Sequence, residues 1–198
     1  MPAQDPYRRR PSLRLQGFDY SRPGAYFITI CTERRLCLLG DVVDTEVRLT
    51  DAGWVVQTTW ECLPDAFPAL ALNLFVVMPN HLHGILVVTG EGDASAAIAG
   101  PSPAGLISRA VQHYKSVTTA EYAFGAKHYR WPPFAGRLWQ RGFYDRIIRG
   151  ETEWERIRRY IANNPVRWAY DRENPEHDPT LPADDPLSEA RRDGGHQR

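Results

Sequence analysis

Two histidines separated by one residue are the first side chains in this sequence whose types and spacing could do chemistry. They lie between two apolar runs, 74–78 and 85–88. Because side chains alternate faces along a β-strand, His81 and His83 face one way and Leu82 faces the other. Two imidazoles on one face of a strand can hold one metal ion. For this motif alone, two polar side chains on the wet face of an edge strand are the commoner explanation.

A tyrosine and an asparagine near the end of a predicted helix form a second pair. Tyr160 and Asn164 are four residues apart, so on a helix they lie on the same face, one turn apart. They fall at the edge of the apolar stripe of this predicted helix. A side chain at that edge can approach a sheet and still reach solvent. If this helix packs beside the histidine strand, it brings a phenol and an amide oxygen to the imidazoles. The alternatives are that Tyr160 is a half-buried packing residue and Asn164 a helix C-cap.

Together these side chains suit metal-dependent phosphoryl transfer. His81, His83 and the Asn164 amide oxygen would form an open three-ligand site that suits Mg²⁺ or Mn²⁺ when phosphate oxygens complete the shell. The metal would polarise a scissile phosphate, and Tyr160 would attack the phosphorus to form a covalent phosphotyrosine. A phenol with a free pKa of about 10 needs a nearby cation or base to ionise at neutral pH. Tyr144, on a predicted strand, is a rival nucleophile, but it has no amide partner at helical spacing.

The elements that must position these residues are predicted from periodicity and from β-branched and aromatic content. The predicted strands are 24–32, 73–78, 81–88 and 137–148, and the predicted helices are 51–62, 106–123 and 151–163, with 42–49 as a short strand or hairpin. The resulting βαββαβα order favours an α+β fold of the ferredoxin-like kind, with a central antiparallel sheet and helices mainly on one face.

At 198 residues the chain is expected to form one domain with tails. Residues 1–23 are polar and basic and are interpreted as an N-terminal arm, and residues 24–170 as the main domain. Residues 90–104 are predicted to be a flexible surface loop within it. Residues 171–198 are rich in proline and aspartate and are predicted to be an acidic disordered tail.

The formal net charge is zero, but the charge is unevenly distributed. Residues 105–149 hold eight basic residues against two acidic ones, a net charge of +6, whereas residues 171–198 have a net charge of −4. A neutral total therefore conceals a basic segment suited to a polyanion. The predicted DNA contacts are basic residues of the arm, of the loop after the first strand and of this segment: Arg8, Arg9, Arg10, Arg14, Arg34, Arg35, Lys115, Arg141 and Arg146.

The cysteines and the apolar runs indicate the compartment. Cys31, Cys37 and Cys62 form no CxxC pair and are odd in number, which argues against a disulfide framework and a cysteine zinc site. The arginine-rich N-terminus is not typical of a secretory signal. No apolar run approaches the roughly 20 residues needed to cross a bilayer. We therefore expect a cytoplasmic protein with no membrane partner.

The sequence resembles the REP-associated tyrosine transposases, which are relatives of the insertion-sequence-200-like single-tyrosine transposases in the HUH (His-hydrophobe-His) endonuclease superfamily. The matching segments are GAYFITICTERR, VVMPNHLHGILVV, LWQRGFYDRIIRGETEWERIRRYIANNPVRW and the basic arm before Gly24. Together they span roughly residues 7–168. Their order and combination are specific to the family, whereas HLH alone is not.

The resemblance implies an HUH-type catalytic domain with a metal at His81 and His83 and a nucleophile at Tyr160. It implies cleavage of single-stranded DNA that leaves a 5′-phosphotyrosine and a free 3′-OH. The family substrate is a hairpin with a flanking tetranucleotide, found in repetitive extragenic palindromes. Transposing relatives carry Gln four residues after the tyrosine, and the REP-associated branch carries Asn, here Asn164, with Asn163 as the alternative ligand. A bacterial, nucleoid-associated monomer or homodimer is expected.

Three functions follow as hypotheses. The first is a transposase or single-strand endonuclease that cleaves and rejoins hairpin DNA through Tyr160. The second is a domesticated protein that binds hairpin DNA without metal dependence or a covalent adduct. A metal-dependent hydrolase that activates water is the third and weakest. The complete set of His81, His83 and Tyr160 favours the first.

Overall fold

The computed structural model of the protein describes residues 24–89, 103–177 and 180. Three predicted segments therefore lie wholly or largely outside the described residues: the basic arm 1–23, residues 90–102 of the predicted loop, and the predicted acidic tail after residue 177 apart from Thr180.

A four-stranded antiparallel sheet forms the centre of the described fold. In chain order its strands are β1 (Gly24–Cys31), β4 (Leu70–Val77), β5 (His81–Val88) and β6 (Tyr144–Ile147), and a separate hairpin contains β2 (Gly40–Val43) and β3 (Glu46–Leu49). Across the sheet the order is β4-β5-β1-β6. The inner strands β1 and β5 pair along their full length, with Cys31 opposite His81.

Four α-helices connect and cover these strands. They are α1 (Asp51–Glu61), α2 (Leu63–Ala66), α3 (Pro103–His128) and α4 (Gly150–Asn163). The Thr50 hydroxyl caps α1 by accepting a hydrogen bond from the Gly53 amide at 3.1 Å, as Thr does at helix N-termini. The order of the elements, with a hairpin in the segment predicted as a short strand or hairpin, confirms the predicted α+β fold. Within the described residues, no helix has the length and apolar character that a membrane span needs.

The two faces of the sheet carry separate apolar clusters. On one face, Leu82 and Leu86 of β5 belong to a cluster with residues of α1, α2 and α3. On the other face, Phe27 and Ile85 pack against α4. Three of the four helices therefore share one face, in agreement with the prediction. The fourth, α4, covers the face toward which the odd-numbered residues of β5 point, and these include both histidines.

Several element boundaries differ from the predicted ones. Strand β4 begins at Leu70 instead of residue 73, and α3 begins at Pro103 instead of residue 106. Helix α3 extends to His128 instead of about residue 123, because Gly125 lets the Trp131 ring lie directly against the helix. Strand β6 covers only four residues of the predicted strand 137–148. In the earlier part of that range, Trp139 makes only an isolated bridge to Thr32.

The middle of β5 has no room for a larger residue at Gly84. A Cβ there would be 2.6 Å from Cζ2 of Trp60 and 3.2 Å from Cβ of Phe75. We expect Gly84→Ala to lower the free energy of unfolding by about 1–3 kcal/mol, because a buried indole must shift in a filled core. Urea unfolding followed by circular dichroism measures this loss. Gly142→Ala is the matched control, since nothing lies within 4 Å of a Cβ there; an equal loss in both variants would contradict the packing explanation.

Candidate active site and metal centre

The two histidines lie side by side under α4. A turn at Pro79-Asn80, closed by a hydrogen bond from the Met78 amide to the His81 carbonyl at 2.8 Å, makes His81 the first residue of β5. His81 is 0% exposed and His83 is 3% exposed. Their ring centroids are 4.4 Å apart. The β-strand alternation thus places two imidazoles next to each other in a buried position.

The amide of Asn80 determines which nitrogen of His81 carries the proton. Its Nδ2 donates to the carbonyl oxygens of Arg35 at 3.0 Å and Glu173 at 2.7 Å. Its Oδ1 lies 2.8 Å from Nδ1 of His81 and must accept from it. The neutral His81 ring therefore has its proton on Nδ1 and presents a lone pair on Nε2.

His83 is held between two hydroxyl groups. Thr29 Oγ1 lies 2.8 Å from its Nδ1, and the Tyr160 hydroxyl lies 3.1 Å from its Nε2. Phe27 stacks on the ring at a centroid distance of 5.3 Å and meets the Tyr160 ring edge-on at 6.0 Å. Because Ile157 and Ile161 anchor α4 to the same face, the helix positions the phenol directly beside the imidazole.

Asn164 lies immediately after the last residue of α4. Its side chain is 1% exposed, and its Oδ1 is buried with no hydrogen-bond partner. The neighbouring Asn163 is exposed. Of the two asparagines considered as ligands, only Asn164 therefore points into the protein near the histidines, where it contacts His81.

A carboxylate that the sequence analysis did not select completes this cluster. After α4 the chain turns through a short 3₁₀ helix, Trp168–Tyr170, and Trp168 lies 5.9 Å from the His81 ring. Asp171 follows and is 2% exposed. Its Oδ1 accepts from the Glu173 amide at 2.7 Å, which turns Oδ2 toward Nε2 of His81 at 3.6 Å.

The position of Asp171 corrects the predicted boundary of the acidic tail at residue 171. Residues 171–177 fold back onto the domain, and Asp171 and Glu173 are engaged in its interior contacts. Composition cannot reveal this, because a run of Asp, Glu and Pro has the same charge whether its carboxylates face water or a histidine. Trp168, which lies 5.9 Å from the His81 ring, was the signal that the segment packs against the domain.

The chemistry of the cluster fits a divalent cation. Three buried polar atoms of this cluster have no hydrogen-bond partner among the described residues: His81 Nε2, Asn164 Oδ1 and Asp171 Oδ2. One ligand atom each from His81, His83 and Asp171 lie within 4.8 Å of one another. A buried carboxylate oxygen that faces an imidazole lone pair is unfavourable in free energy, because both atoms are electron-rich and neither is solvated. A positive charge between them removes this penalty. This group could therefore hold a metal ion through nitrogen and oxygen ligands.

Both histidines are in the protonation state that binds metals. Burial lowers the pKa of His81, although Asp171, Glu173 and the Asn164 amide oppose this effect. Burial lowers the pKa of His83 well below its usual range, and neighbouring His81 lowers it further. The two rings are therefore neutral at pH 7, as metal coordination requires.

The predicted DNA-contacting residues are placed in different environments. Arg34 and Arg141 are exposed, and the four arginines of the arm lie outside the described residues. The other three interact within the protein: Arg35 with Glu173 at 2.9 Å, Arg146 with Glu153 at 2.7 Å, and Lys115 with the carbonyls of Gln140 and Gly142 at 2.9 and 2.7 Å. Burial also lowers the pKa of Lys115 to about 8. Part of the predicted basic charge is thus compensated internally.

Comparison with known proteins identifies relatives of this chain. No family model matches it. An uncharacterised protein from Haemophilus influenzae is 34% identical over 170 residues, which cover 82% of this chain and 91% of that protein. The chain belongs to the family of this bacterial protein.

Two solved structures are also similar. A REP-associated tyrosine transposase bound to a REP hairpin matches with a TM-score of 0.47 and 22% identity, covering 83% of this chain and 74% of that chain. A candidate transposase from Deinococcus radiodurans R1 matches with a TM-score of 0.34 and 21% identity, covering 75% and 96%. The first carries the family name that the sequence motifs suggested. With identities of 21–22% and TM-scores below 0.5, neither similarity assigns a role to any residue of this chain. The roles are therefore argued from the contacts and chemistry of the residues of this chain.

The burial of His83 leads to a pH dependence of stability. Its pKa in the folded protein is well below the usual value of 6.5, so the unfolded chain binds the proton more readily once the pH falls below about 6.5. We expect the free energy of unfolding to fall between pH 7 and pH 5, by up to about 1.4 kcal/mol per pH unit. Urea unfolding in the presence of a chelator measures this change.

The control for this prediction compares two histidine variants. His83→Gln removes the buried titrating group and should lose less stability on acidification than the wild type does. His113→Gln removes an exposed histidine and should retain the wild-type response. The same acid sensitivity in His83→Gln and the wild type would show that another group is responsible.

Proposed function

We propose that the protein is a metal-dependent DNA transposase or single-strand endonuclease of the REP-associated tyrosine type. Tyr160 is the proposed nucleophile, and His81, His83 and Asn164 are the proposed metal ligands, with Asp171 added to them. The observation that carries this proposal is the 3.1 Å distance from the Tyr160 hydroxyl to His83 Nε2. A nucleophile beside a buried set of metal-ligating atoms is the arrangement that tyrosine-dependent phosphoryl transfer needs.

The proposed substrate is single-stranded hairpin DNA of the kind found in repetitive extragenic palindromes. The motif resemblance supports this choice, and so does the net charge of +6 over residues 105–149, because phosphate backbones bind basic surfaces. Acting on DNA, the protein would work at the bacterial nucleoid.

The proposed reaction exchanges one phosphodiester for another. The Tyr160 oxygen forms a bond to the scissile phosphorus while the bond from phosphorus to the 3′-oxygen breaks. The phenol loses a proton and the departing 3′-oxygen gains one, so the reaction is balanced without water or an oxidant. The product is a 5′-phosphotyrosine, whose ester keeps the energy of the broken bond, and a 3′-OH can therefore reverse the step and rejoin DNA.

The chain's own residues orient the reacting group. Phe27 and the packing of α4 place the phenol ring beside His83, and Thr29 holds the His83 ring from its far side. When bound, Mg²⁺ or Mn²⁺ would supply positive charge that polarises the phosphate and favours ionisation of a phenol with a free pKa of about 10. The lone pair on Nε2 of His83 can accept a hydrogen bond from Tyr160 or bind a metal ion, but not both at once. Tyr160 must therefore give up this hydrogen bond before Nε2 can act as a ligand. A rotation of the phenol toward the phosphate would achieve both.

The proposed nucleophile is tested by a covalent adduct. Wild-type protein incubated with a hairpin oligonucleotide and Mn²⁺ should give a protein band of higher mass on a denaturing gel. Tyr160→Phe should abolish this band, because it removes only the attacking oxygen. Tyr144→Phe is the matched control and should form the adduct as the wild type does. An adduct that persists in Tyr160→Phe would refute this nucleophile, and hairpin binding with no adduct in the wild type would favour the DNA-binding alternative.

The proposed ligand set is tested by metal binding without DNA. We expect His81→Ala and Asp171→Asn each to weaken Mn²⁺ binding on the order of tenfold or more, because each removes a ligand from a buried site. Isothermal titration calorimetry measures the affinity. Glu176→Gln, which changes an exposed carboxylate of the same segment, should bind Mn²⁺ as the wild type does. An unchanged Mn²⁺ affinity in Asp171→Asn would show that this carboxylate is not a ligand. The Mn²⁺ affinity of His83→Gln tests in the same way whether His83 is a ligand.

A further inference from the structure

A group of exposed rings at the C-terminal end of α3 is not used by the proposed chemistry. We call it the aromatic patch; it consists of Phe124, His128 and Tyr129, with Lys127 and Arg130 beside them. Phe124 is 51% exposed and Tyr129 is 65% exposed. Phe124 lies 4.4 Å from the His128 ring at an interplanar angle of 34°, and 5.8 Å from the Tyr129 ring. Three rings are thus gathered at one point on the surface.

The aromatic patch is built on a fixed support. Gly125 leaves no room for a Cβ because the Trp131 ring lies against it, and the Tyr129 amide donates to the Gly125 carbonyl at 2.7 Å. Trp131 in turn packs against Tyr122, which is buried, at 5.4 Å. Arg130 has a φ of 60°, an uncommon conformation for a residue other than glycine. The backbone is therefore held in one shape that presents the rings outward.

The helix that carries the aromatic patch is linked by a chain of contacts to the residue just before β5. Trp139 donates to Thr118 of α3 at 2.8 Å and forms a bridge to Thr32, whose amide donates to the Asn80 carbonyl at 2.8 Å. Thr118 is thus connected through Trp139 and Thr32 to Asn80, the residue before β5. Phe124 follows Thr118 six residues later, which is about 9 Å further along the helix axis. Helix α3 and the histidines lie on opposite faces of the sheet, so a DNA strand that joins the patch to the candidate site would pass around the sheet.

The charge around the aromatic patch suits a polyanion. Lys127 and Arg130 are exposed beside the rings, and residues 122–141 contain no acidic residue. A purely apolar protein partner would not require this charge. A ligand with both flat aromatic groups and regularly spaced negative charges matches the rings and the cations together, and single-stranded nucleic acid has both.

We propose that the aromatic patch binds unpaired bases of single-stranded DNA that extends from the candidate active site. Phe124 and Tyr129 would stack on bases, and Lys127 and Arg130 would contact the phosphates on either side. This inference rests on the proposed function for the identity of the nucleic acid as DNA. The aromatic patch would hold the DNA strand outside the reacting centre. Because stacking makes no hydrogen bonds to base edges, the patch would bind DNA of any base sequence.

The test measures binding in a protein that cannot react. In a Tyr160→Phe background, a fluorescently labelled oligothymidylate is titrated with Phe124→Leu/Tyr129→Leu protein, and anisotropy gives the dissociation constant. Leucine keeps an apolar side chain but removes the ring, so we expect binding to weaken about tenfold or more. The same change should have little effect on binding of an abasic oligonucleotide of equal length, which has the phosphates but no bases.

Two control variants make the result specific. Trp54→Leu removes an aromatic residue of similar exposure, 56%, from α1 and should bind oligothymidylate as the Tyr160→Phe parent does. Phe124→Tyr/Tyr129→Phe keeps both rings and should also bind normally. Circular dichroism and thermal unfolding verify that the leucine variant is folded.

Three outcomes would overturn the proposal. They are unchanged oligothymidylate binding in the folded leucine variant, an equal loss with the abasic oligonucleotide, or a change in oligomeric state with DNA binding intact, which would make the aromatic patch a protein contact. The result is independent of the adduct assay, because Tyr160→Phe cannot form the adduct. Failure of the nucleophile assignment and failure of the aromatic patch are therefore distinguishable.

Discussion

A single buried amide, that of Asn80, joins the three parts of the chain on which the candidate site depends. It connects the start of β5, the loop after β1 at Arg35 and the returning segment at Glu173. Both of its N–H groups are used, so the amide cannot flip without losing two hydrogen bonds in a buried place. The lone pair of His81 is therefore directed by a residue that touches neither the proposed metal nor the proposed substrate, a common role for groups behind metal ligands.

The fold and much of the candidate site follow from periodicities that are local in sequence. Strand β5 was predicted residue for residue, and α4 to within one residue. The continuous apolar run 85–88 of β5 is typical of a strand with two covered faces, and the four-residue spacing of Tyr160 and Asn164 places them on one helical face. The packing of α4 on the odd-numbered face of β5 then brings Tyr160 next to the histidines.

The features that the sequence did not reveal depend on partners far away along the chain. Asp171 looks like part of a solvated tail until the chain turns back and directs it at His81. Arg35 looks like a DNA contact, but it pairs with Glu173, 138 residues later. An arginine has the same local signature in either role, because its partner is chosen by the tertiary fold.

The separation of His83 and Tyr160 by 77 residues also has a consequence for protein synthesis. Chains emerge from the ribosome N-terminus first, and domains begin to fold as they emerge. A nascent chain that has completed β5 carries both histidines but neither the nucleophile nor Asp171. The proposed strand cleavage can therefore begin only after α4 and the segment behind it have been translated. A polypeptide from interrupted translation would retain the histidine pair and be unable to break DNA.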